Sequence, residues 1–130
     1  MIRAAMIVSA FFGLWSCGDE TLSGYGATGV VWQWAELDGQ SVAARATLIF
    51  PEEGRIEGEA PCNRFSGVQT VPYPWFKAER IAATKRACPD LAAEAAFLEA
   101  LSEMTLAELA GDVLILRNDA GREMVFRAEK

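Results

Sequence analysis

Two short motifs, A-P-C-N-R-F-S-G at residues 60–67 and T-K-R-A-C-P-D at residues 84–90, bound the stretch of sequence that decides the fold. Between Cys62 and Cys88, which are two of the three cysteines, lie five of the twelve basic residues and one acid, Glu79. Turn-forming residues, two thiols and concentrated charge in one segment make it the place where we expect both the framework of the fold and any binding chemistry.

Length and composition indicate one globular domain. With 130 residues, of which 52% are apolar, the chain can bury a single core and is too apolar to be disordered. It contains no histidine, which removes the commonest general base and metal ligand, so neither a cofactor nor a metal site is predicted. The net charge of −6 argues against nucleic-acid binding, which needs a dense basic surface.

Residues 1–16 are typical of a secretory signal peptide. Arg3 precedes an apolar segment that is too short to cross a bilayer as a helix, which takes about twenty residues. The sequence Leu14-Trp15-Ser16-Cys17 then resembles a bacterial lipobox, in which the cysteine is lipid-modified and becomes the mature N-terminus. The alternative is an ordinary cleaved signal with Cys17 a bystander. Lipid on Cys17 would anchor the protein durably on a membrane.

A lipid anchor at Cys17 predicts how the domain is attached and on which membrane it lies. Residues 17–29 are rich in glycine and small polar residues, and they are predicted to be a lipid-anchored flexible tether for a domain at residues 30–130. Gly18 is not the aspartate that retains enteric-type lipoproteins in the inner membrane, so the outer membrane, facing the periplasm, is favoured. A monomer is expected, with the membrane as its one predicted fixed partner.

Lipidation of Cys17 would leave Cys62 and Cys88 as an even pair in an oxidising compartment. A structural disulfide between them is the favoured interpretation, and in the chain-entropy model it would stabilise the fold by about 3 kcal/mol. Two free buried thiols, or a redox-active or metal-binding pair, are alternatives, although the spacing is not C-x-x-C and no further ligand is at hand.

The polar residues of the two motifs have structural explanations. Asn63 and Gly67 favour turn conformations with positive φ, and an asparagine can also hydrogen-bond its own backbone. The hydroxyls of Thr84 and Ser66 lack a histidine that could activate them as nucleophiles. The sequence therefore assigns no catalytic residue.

The remaining sequence predicts short strands around one helix. Alternating β-branched and aromatic residues indicate strands, and D-G at residues 38–39 indicates a hairpin. The predicted strands cover residues 30–37, 42–50, 55–59, 65–71, 76–83, 105–109, 113–117 and 122–127. Most of them carry apolar residues on one face only, which is typical of an antiparallel sheet with one face toward the core.

Residues 90–104 predict one amphipathic helix, with Asp90 as the candidate N-cap. Helical spacing assigns the core-facing side to Leu91, Ala95, Leu98, Leu101 and Met104, with Phe97 beside them. Glu94, Glu99 and Glu103 are expected largely elsewhere, on an acidic outer face.

Together these pieces resemble the META/HslJ domain, a small domain of bacterial envelope lipoproteins and secreted proteins. The resemblance spans roughly residues 30–127 and is carried by Trp32, Trp34 and Asp38-Gly39, by residues 58–67 and 81–89, by Glu94, Phe97 and Leu101, and by Leu114, Gly121 and Phe126. It implies an α+β fold in which a curved antiparallel sheet of about six to eight short strands packs against one amphipathic helix. It also implies a link to heat-shock response and antibiotic tolerance, and it supplies no agreed catalytic residues.

Two features of the central stretch are candidate contact surfaces. From residue 62 to residue 88, five basic residues and one acid give a local net charge of +4; the basic residues are Arg64, Lys77, Arg80, Lys85 and Arg86. They form either a patch for an anionic ligand or partner, or surface pairs with the protein's own carboxylates, which contribute little. Trp75 and Phe76, bracketed by prolines, form either an exposed aromatic contact or a hydrophobic plug at one end of the sheet.

The sequence thus predicts a non-enzymatic, lipid-anchored envelope domain that binds or scaffolds an unknown envelope protein or small ligand, in stress or antibiotic tolerance. Two alternatives stay open. One is an inhibitor or accessory module of an envelope enzyme or secretion component, acting through Trp75, Phe76 and the basic residues. The other is a thiol-redox protein that uses Cys62 and Cys88.

Overall fold

Two antiparallel sheets and one α-helix enclose the core in the computed structural model, which describes residues 18–129. The elements in chain order are a short 3-10 helix (Leu22–Tyr25), β1 (Trp32–Leu37), β2 (Gln40–Ser41), β3 (Thr47–Leu48), β4 (Gly54–Glu59), β5 (Arg64–Gln69), β6 (Glu79–Ala83), α1 (Leu91–Glu103), β7 (Leu106–Ala110), β8 (Val113–Arg117) and β9 (Glu123–Ala128). The predicted signal peptide and Cys17 lie outside the described residues. Within residues 18–129, no helix has both the length and the apolar character needed to cross a membrane.

The strands form an open, curved surface that covers one helix. The larger sheet has the order β2-β1-β9-β8-β7, with β3 also paired to β1, and the smaller sheet has the order β4-β5-β6. An isolated bridge between Ile49 and Glu57 links the end of β3 to β4, so the two sheets continue into one another. The predicted α+β fold, a curved antiparallel sheet on one helix, is confirmed.

Of the single strand predicted over residues 42–50, only β3 (Thr47–Leu48) is present, and the short β2 (Gln40–Ser41) lies just before that range, so the described residues form nine strands and not six to eight. Strand β1 has an irregularity between Trp34 and Glu36. On either side of it, Val42 N donates to Ala35 O (3.1 Å) and Trp34 N donates to Ala46 O (2.9 Å), so residues 43–45 loop away from the ladder. A bulge in one strand breaks the pairing of its neighbour.

Phe97 of α1 lies at the centre of the core and joins both sheets. Its ring centroid is 5.0 Å from that of Trp34 and 6.2 Å from that of Phe126, both in the larger sheet. The ring of Phe65, in the smaller sheet, is 5.6 Å away in an edge-to-face arrangement. Aromatic pairs at these separations add to the burial energy, so one helical side chain fixes the two sheets relative to each other.

The buried face of α1 differs from the predicted one. The buried helical residues are Glu94, Phe97, Ala100 and Leu101, whereas Leu91 is 44% exposed. The expectation that Glu94 lies on the outer face is wrong, because the helix is turned so that the Phe97 ring and the Glu94 carboxylate both point inward. Asp90 does occupy the N-cap position, but its side chain makes no capping hydrogen bond.

The prediction of a flexible tether is wrong for residues 21–27. Leu22 and Ala27 are fully buried in the core. The ring of Tyr25 stacks on that of Tyr73 with a centroid separation of 4.8 Å. Two apolar side chains in an otherwise polar, glycine-rich segment are enough to fold it onto the domain, because burying them stabilises by about 1 kcal/mol or more each.

Candidate functional site

The two sequence motifs meet at one end of α1, in a cluster that we call the Asn63 corner: Cys62, Asn63, Thr84, Arg86, Cys88 and Glu94. The turn before β5 supplies Cys62 and Asn63, and the loop between β6 and α1 supplies the next three residues. Cys62 and Cys88 form a disulfide with a Cα–Cα distance of 5.7 Å. The predicted disulfide is therefore present, and it ties the turn to the loop.

Asn63 is buried and uses its whole amide group inside the corner. Its Nδ2 donates to the backbone oxygen of Arg86 (3.0 Å) and to Oε2 of Glu94 (2.7 Å). Its Oδ1 accepts from the hydroxyl of Thr84 (3.0 Å) and from the backbone N–H of Arg86 (2.5 Å). Both donor hydrogens and two acceptor positions are occupied, so the asparagine acts as a clamp between the motifs.

Glu94 is the anchor that the sequence reasoning missed. Its buried carboxylate accepts from the backbone N–H groups of Cys62 (3.0 Å) and Asn63 (2.7 Å), as well as from the Asn63 side chain. No lysine or arginine of residues 18–129 forms an ion pair with it, so hydrogen bonds carry the stabilisation of its charge. A usable signal was present, since Glu94 precedes Phe97 by three residues and Leu101 by seven, on one helical stripe.

The corner is built as a framework and offers little to a reacting substrate. The Thr84 hydroxyl donates to Asn63 and accepts from the backbone N–H of Arg64 (3.2 Å), so it is held as a structural hydroxyl. The two thiols are tied to each other. In the part of the chain that the structure describes, no cluster of three or more carboxylates or thiols is placed to hold a metal ion.

The five predicted basic residues are divided by the structure between the two ends of β6. Lys77 and Arg80 lie at its start, and Lys85 and Arg86 follow its end, where Arg64 begins the neighbouring strand. Arg64 and Arg86 line one groove of about 490 Å³ together with Glu59 and the residues of the 61–63 turn. We call Arg64, Arg80, Lys85 and Arg86 the basic edge.

Within residues 18–129, three of the four residues of the basic edge, Arg80, Lys85 and Arg86, form no ion pair. The fourth, Arg64, pairs with Glu59 at 3.8 Å and keeps its side chain largely exposed. Lys77 pairs with Glu79 (2.9 Å); its hydrogen bond, with a smaller contribution from the charge of Arg80, holds the pKa of Glu79 below the usual value. The remaining described arginines all contact carboxylates, in the pairs Arg45–Glu129, Arg55–Glu57, Arg117–Glu123, Arg122–Asp38 and Arg127–Glu36.

The two aromatic candidates have opposite environments. Phe76 is buried, and its backbone N–H donates to Thr105 O (2.9 Å), so it closes the edge of the larger sheet beside β7. Trp75 forms an isolated bridge with Leu106, yet its side chain is 57% exposed. The plug interpretation therefore holds for Phe76, and Trp75 is left as an exposed aromatic side chain.

A second polar cluster, not predicted from the sequence, lies at the other end of α1. Arg122 donates to Glu103 (2.8 Å), at the end of the helix, and to Asp38 (3.1 Å), in the first hairpin. The backbone N–H of Glu123 donates to Asp38 (3.0 Å); this bond, with the Arg122 guanidinium, lowers the pKa of the Asp38 carboxyl. The hydrogen bond to Glu103, followed by the one to Asp38, raises the pKa of Arg122. We call these residues the Arg122 cluster.

Comparison with solved structures supports the fold. A structure described as an NMR structure of the protein from Burkholderia xenovorans is 21% identical, with a TM-score of 0.61 over 80% of this chain and 84% of that one. A crystal structure of a DUF4847 family protein from Bacteroides vulgatus is 19% identical, with a TM-score of 0.53 over 65% of this chain and 60% of that one. At these identities the similarity is one of fold. Among curated proteins, none matches the sequence.

The family assignment comes from the sequence as a whole. The family model described as the META domain matches residues 26–130, which include all the described elements from β1 to β9 and α1. Both motifs of the Asn63 corner, together with Glu94, lie inside the matched range. The chain belongs to the META domain family.

Proposed function

We propose that this chain is a non-enzymatic domain of the bacterial envelope, held on the membrane by lipid at Cys17, that binds an anionic ligand or partner at the basic edge. The position on the outer membrane and a role in stress or antibiotic tolerance are part of the same proposal, and they are supported by the lipobox-like sequence and the family resemblance. A META domain without a membrane-spanning helix in residues 18–129 is compatible with a lipid anchor.

The observation that carries the proposal is the uneven pairing of charge. The chain has 18 acidic and 12 basic residues, so carboxylates outnumber the cations that they could pair with. Arg45, Arg117 and Arg127 are each paired with a carboxylate. Within residues 18–129, Arg80, Lys85 and Arg86 remain without an ion pair. Cations that form no ion pair where carboxylates are abundant are available to an anion from outside, and guanidinium groups suit carboxylates and phosphates in particular.

The Asn63 corner gives this surface its rigidity. Arg86 is fixed through both backbone groups to Asn63, and Arg64 follows directly in β5. The disulfide holds the loop that carries Lys85 and Arg86 against the turn that precedes Arg64. A pre-organised surface loses less conformational entropy on binding, so the framework role of the corner serves the binding role of the edge.

A titration of the full chain, purified in detergent, tests the proposal. Three anionic probes are compared with phosphatidylcholine vesicles: inorganic phosphate, phosphatidylglycerol vesicles, and a capped peptide of alternating glutamate and valine. We expect at least one anionic probe to bind with an affinity that falls as salt rises. The double variant Lys85→Glu with Arg86→Glu should lose at least tenfold in affinity.

The matched control makes the same charge change elsewhere. Arg45→Glu with Arg127→Glu alters the net charge equally, at two exposed arginines that are paired with Glu129 and Glu36. It should leave probe affinity within about twofold. Equal losses in the two double variants, or no anionic probe binding better than phosphatidylcholine, would contradict the proposal.

A second candidate function, an accessory or inhibitory module that contacts an envelope protein through Trp75, is favoured by one observation. Trp75 is 57% exposed while Phe76 next to it is buried, so the tryptophan contributes less to the core than an aromatic residue usually does. Cross-linking of the membrane-bound protein in cells, with wild type and Trp75→Ala compared, would separate the candidates. Loss of a cross-linked partner on this substitution alone supports the module, whereas an unchanged pattern opposes it.

A further inference from the structure

Strand β6 is an open sheet edge. It is the terminal strand of the smaller sheet and pairs only with β5, whereas β4 at the other side is linked through the Ile49–Glu57 bridge to the larger sheet. In the larger sheet the edge at β7 is covered by residues 74–76, and the opposite terminal strand, β2, has two residues. Among the described residues, β6 is thus the longest strand edge left uncovered.

The pairing with β5 identifies the backbone groups that face outward. Thr84 N donates to Arg64 O (3.0 Å), so these opposed residues form a hydrogen-bonded pair. Because hydrogen-bonded and non-hydrogen-bonded pairs alternate along an antiparallel ladder, the next hydrogen-bonded pair is Ser66 with Ala82. The N–H and C=O groups of Ala83 therefore point away from β5, and so does the C=O of Ile81, which shares a trans peptide with the inward N–H of Ala82.

Positive charge brackets this edge. Arg80 lies near one end of β6, and Lys85 and Arg86 follow the other end, about 17 Å away for an extended strand. None of the three forms an ion pair within residues 18–129. An extended segment laid along β6 would pass the unpaired cations at both of its ends.

A second copy of the chain is a poor occupant of this edge. In an antiparallel pair of β6 strands, Arg80 of each copy would approach Lys85 and Arg86 of the other, which sets like charges against each other. The irregularity in the pairing between Ser66 and Val68 also distorts β6 near Arg80, which has a positive φ of 53°. Charges and bulges at an edge are devices that prevent self-association, and these charges do not repel an acidic partner.

We propose that β6 accepts an extended acidic segment of a partner protein by strand addition. The outward N–H and C=O groups of Ala83 and the outward C=O of Ile81 supply the ladder, and acidic side chains of the segment reach Arg80 at one end and Lys85 and Arg86 at the other. Main-chain hydrogen bonds give such complexes affinity, and the flanking side chains select the sequence. The inference rests on the proposed function, because it uses the same cations, and it adds the partner class and the binding mode.

Amide hydrogen exchange of the full chain in detergent tests the binding mode directly. The probe is the capped glutamate–valine peptide of about eight residues, long enough to span the edge. Exchange at Ala83 should slow at least tenfold when the peptide binds. Ala82, already bonded to Ser66, is the internal control and should change much less. Inorganic phosphate and phosphatidylglycerol vesicles should leave both rates unchanged.

Two further comparisons separate the contribution of the backbone hydrogen bonds to peptide affinity from that of the charges. The same peptide methylated on every backbone nitrogen keeps its charge and loses its donors, so its affinity should fall at least tenfold. In the protein, Ala83→Pro removes one outward donor at a position where an edge strand tolerates proline, and peptide affinity should fall similarly while phosphate affinity is retained. If that variant does not fold, the exchange rates and the methylated peptide still decide the question.

The outcomes distinguish the inference from the function on which it rests. Peptide binding without slower exchange at Ala83, or equal affinity for the methylated peptide, overturns strand addition and leaves anion binding at the basic edge intact. Binding of phosphate or phosphatidylglycerol without binding of the peptide has the same consequence. If no anionic probe binds, the proposed function and the inference both fail.

Discussion

The Asn63 corner and the Arg122 cluster fix the two ends of the same helix in different environments. At the start of α1, the carboxylate of Glu94 is buried and accepts hydrogen bonds from the turn before β5. At the end of α1, Glu103 meets Arg122, whose side chain is 26% exposed, and Arg122 in turn meets the more exposed Asp38. Both clusters join the helix to a sheet, and water reaches only the second freely.

Burial decides how much each cluster contributes to the free energy of unfolding. In water, a broken ion pair is replaced by hydration, so exposed pairs contribute only about 0–1 kcal/mol. Inside the corner, a donor that loses its acceptor is largely shielded from water, and each such group costs about 1–3 kcal/mol. The Asn63 corner should therefore dominate the stability of the domain, while the Arg122 cluster adjusts it.

The largest effect is expected for Glu94→Ala. The substitution leaves the backbone N–H groups of Cys62 and Asn63 and the Asn63 side chain without their acceptor, and the free energy of unfolding should fall by about 4 kcal/mol. Urea denaturation with the disulfide intact measures it. Glu99→Ala, at an exposed position of the same helix, is the control and should change the value by less than about 0.5 kcal/mol. A loss below about 1 kcal/mol at Glu94 would contradict the comparison.

The next effect isolates the covalent part of the corner. Cys62→Ser with Cys88→Ser opens a link between residues 26 apart in sequence, and it should destabilise the domain by about 3 kcal/mol while the Asn63–Glu94 hydrogen bonds remain. Thermal unfolding of the double variant, with reduced wild type as the matched sample, measures it. The thiol-redox hypothesis predicts an additional result. Cells that carry the double variant should lose the wild-type phenotype even when the abundance of the variant is restored to that of wild type.

The third effect tests the exposed cluster. Arg122→Gln removes the ion pairs to Asp38 and Glu103 and should cost about 1 kcal/mol at low ionic strength. Because the pairs are open to solvent, most of this difference should disappear in about 1 M salt. The Glu94→Ala difference should persist there. Urea denaturation at both salt concentrations measures the two variants, and equal salt dependence would show that burial is not what separates the clusters.

The smallest effect is a pH dependence at Asp38. Its pKa is lower in the folded chain than in an unfolded one, so the ionised carboxylate stabilises the fold above the unfolded pKa, and this stabilisation is lost as the pH falls through the folded value. Asp38→Asn should therefore cost under about 0.5 kcal/mol at pH 7. The difference from wild type should shrink as the pH falls below the unfolded pKa and vanish once the pH lies below the folded value. Thermal unfolding across pH measures it; a difference that grows toward acid would contradict this sign. Asparagine also tolerates the positive φ of residue 38.

Sequence reasoning succeeded where neighbours in the chain decide the conformation. The Asp38–Gly39 hairpin, strand β8 and the extent of α1 follow from turn chemistry and hydrophobic periodicity. It failed at residues 42–50, because the break in that strand comes from a bulge in the strand that it pairs with. It also failed at Leu22 and Ala27, whose burial depends on the space that the finished core leaves for them.

The candidate site shows the same division. The basic residues and the two cysteines were identifiable as residue types with a spacing, and Asn63 as a turn residue. For Glu94, the stripe that it shares with Phe97 and Leu101 could indicate burial, but its acceptor role could not be predicted, because that role exists only when N–H groups from residues 62 and 63 are brought to it. Which arginines are paired was equally undetermined, since Arg45, Arg122 and Arg127 find partners that are distant in sequence.

The amino-acid sequence by itself determined the elements of this protein: one amphipathic helix, a series of short strands, a cysteine pair and a basic segment in an acidic chain. Each follows from interactions between residues a few positions apart, or from composition. The tertiary structure decided which face of α1 is buried, that β6 is an open edge, and that Arg80, Lys85 and Arg86 are left without carboxylates in residues 18–129. Those properties depend on long-range contacts, and local sequence patterns do not encode which groups such contacts bring together.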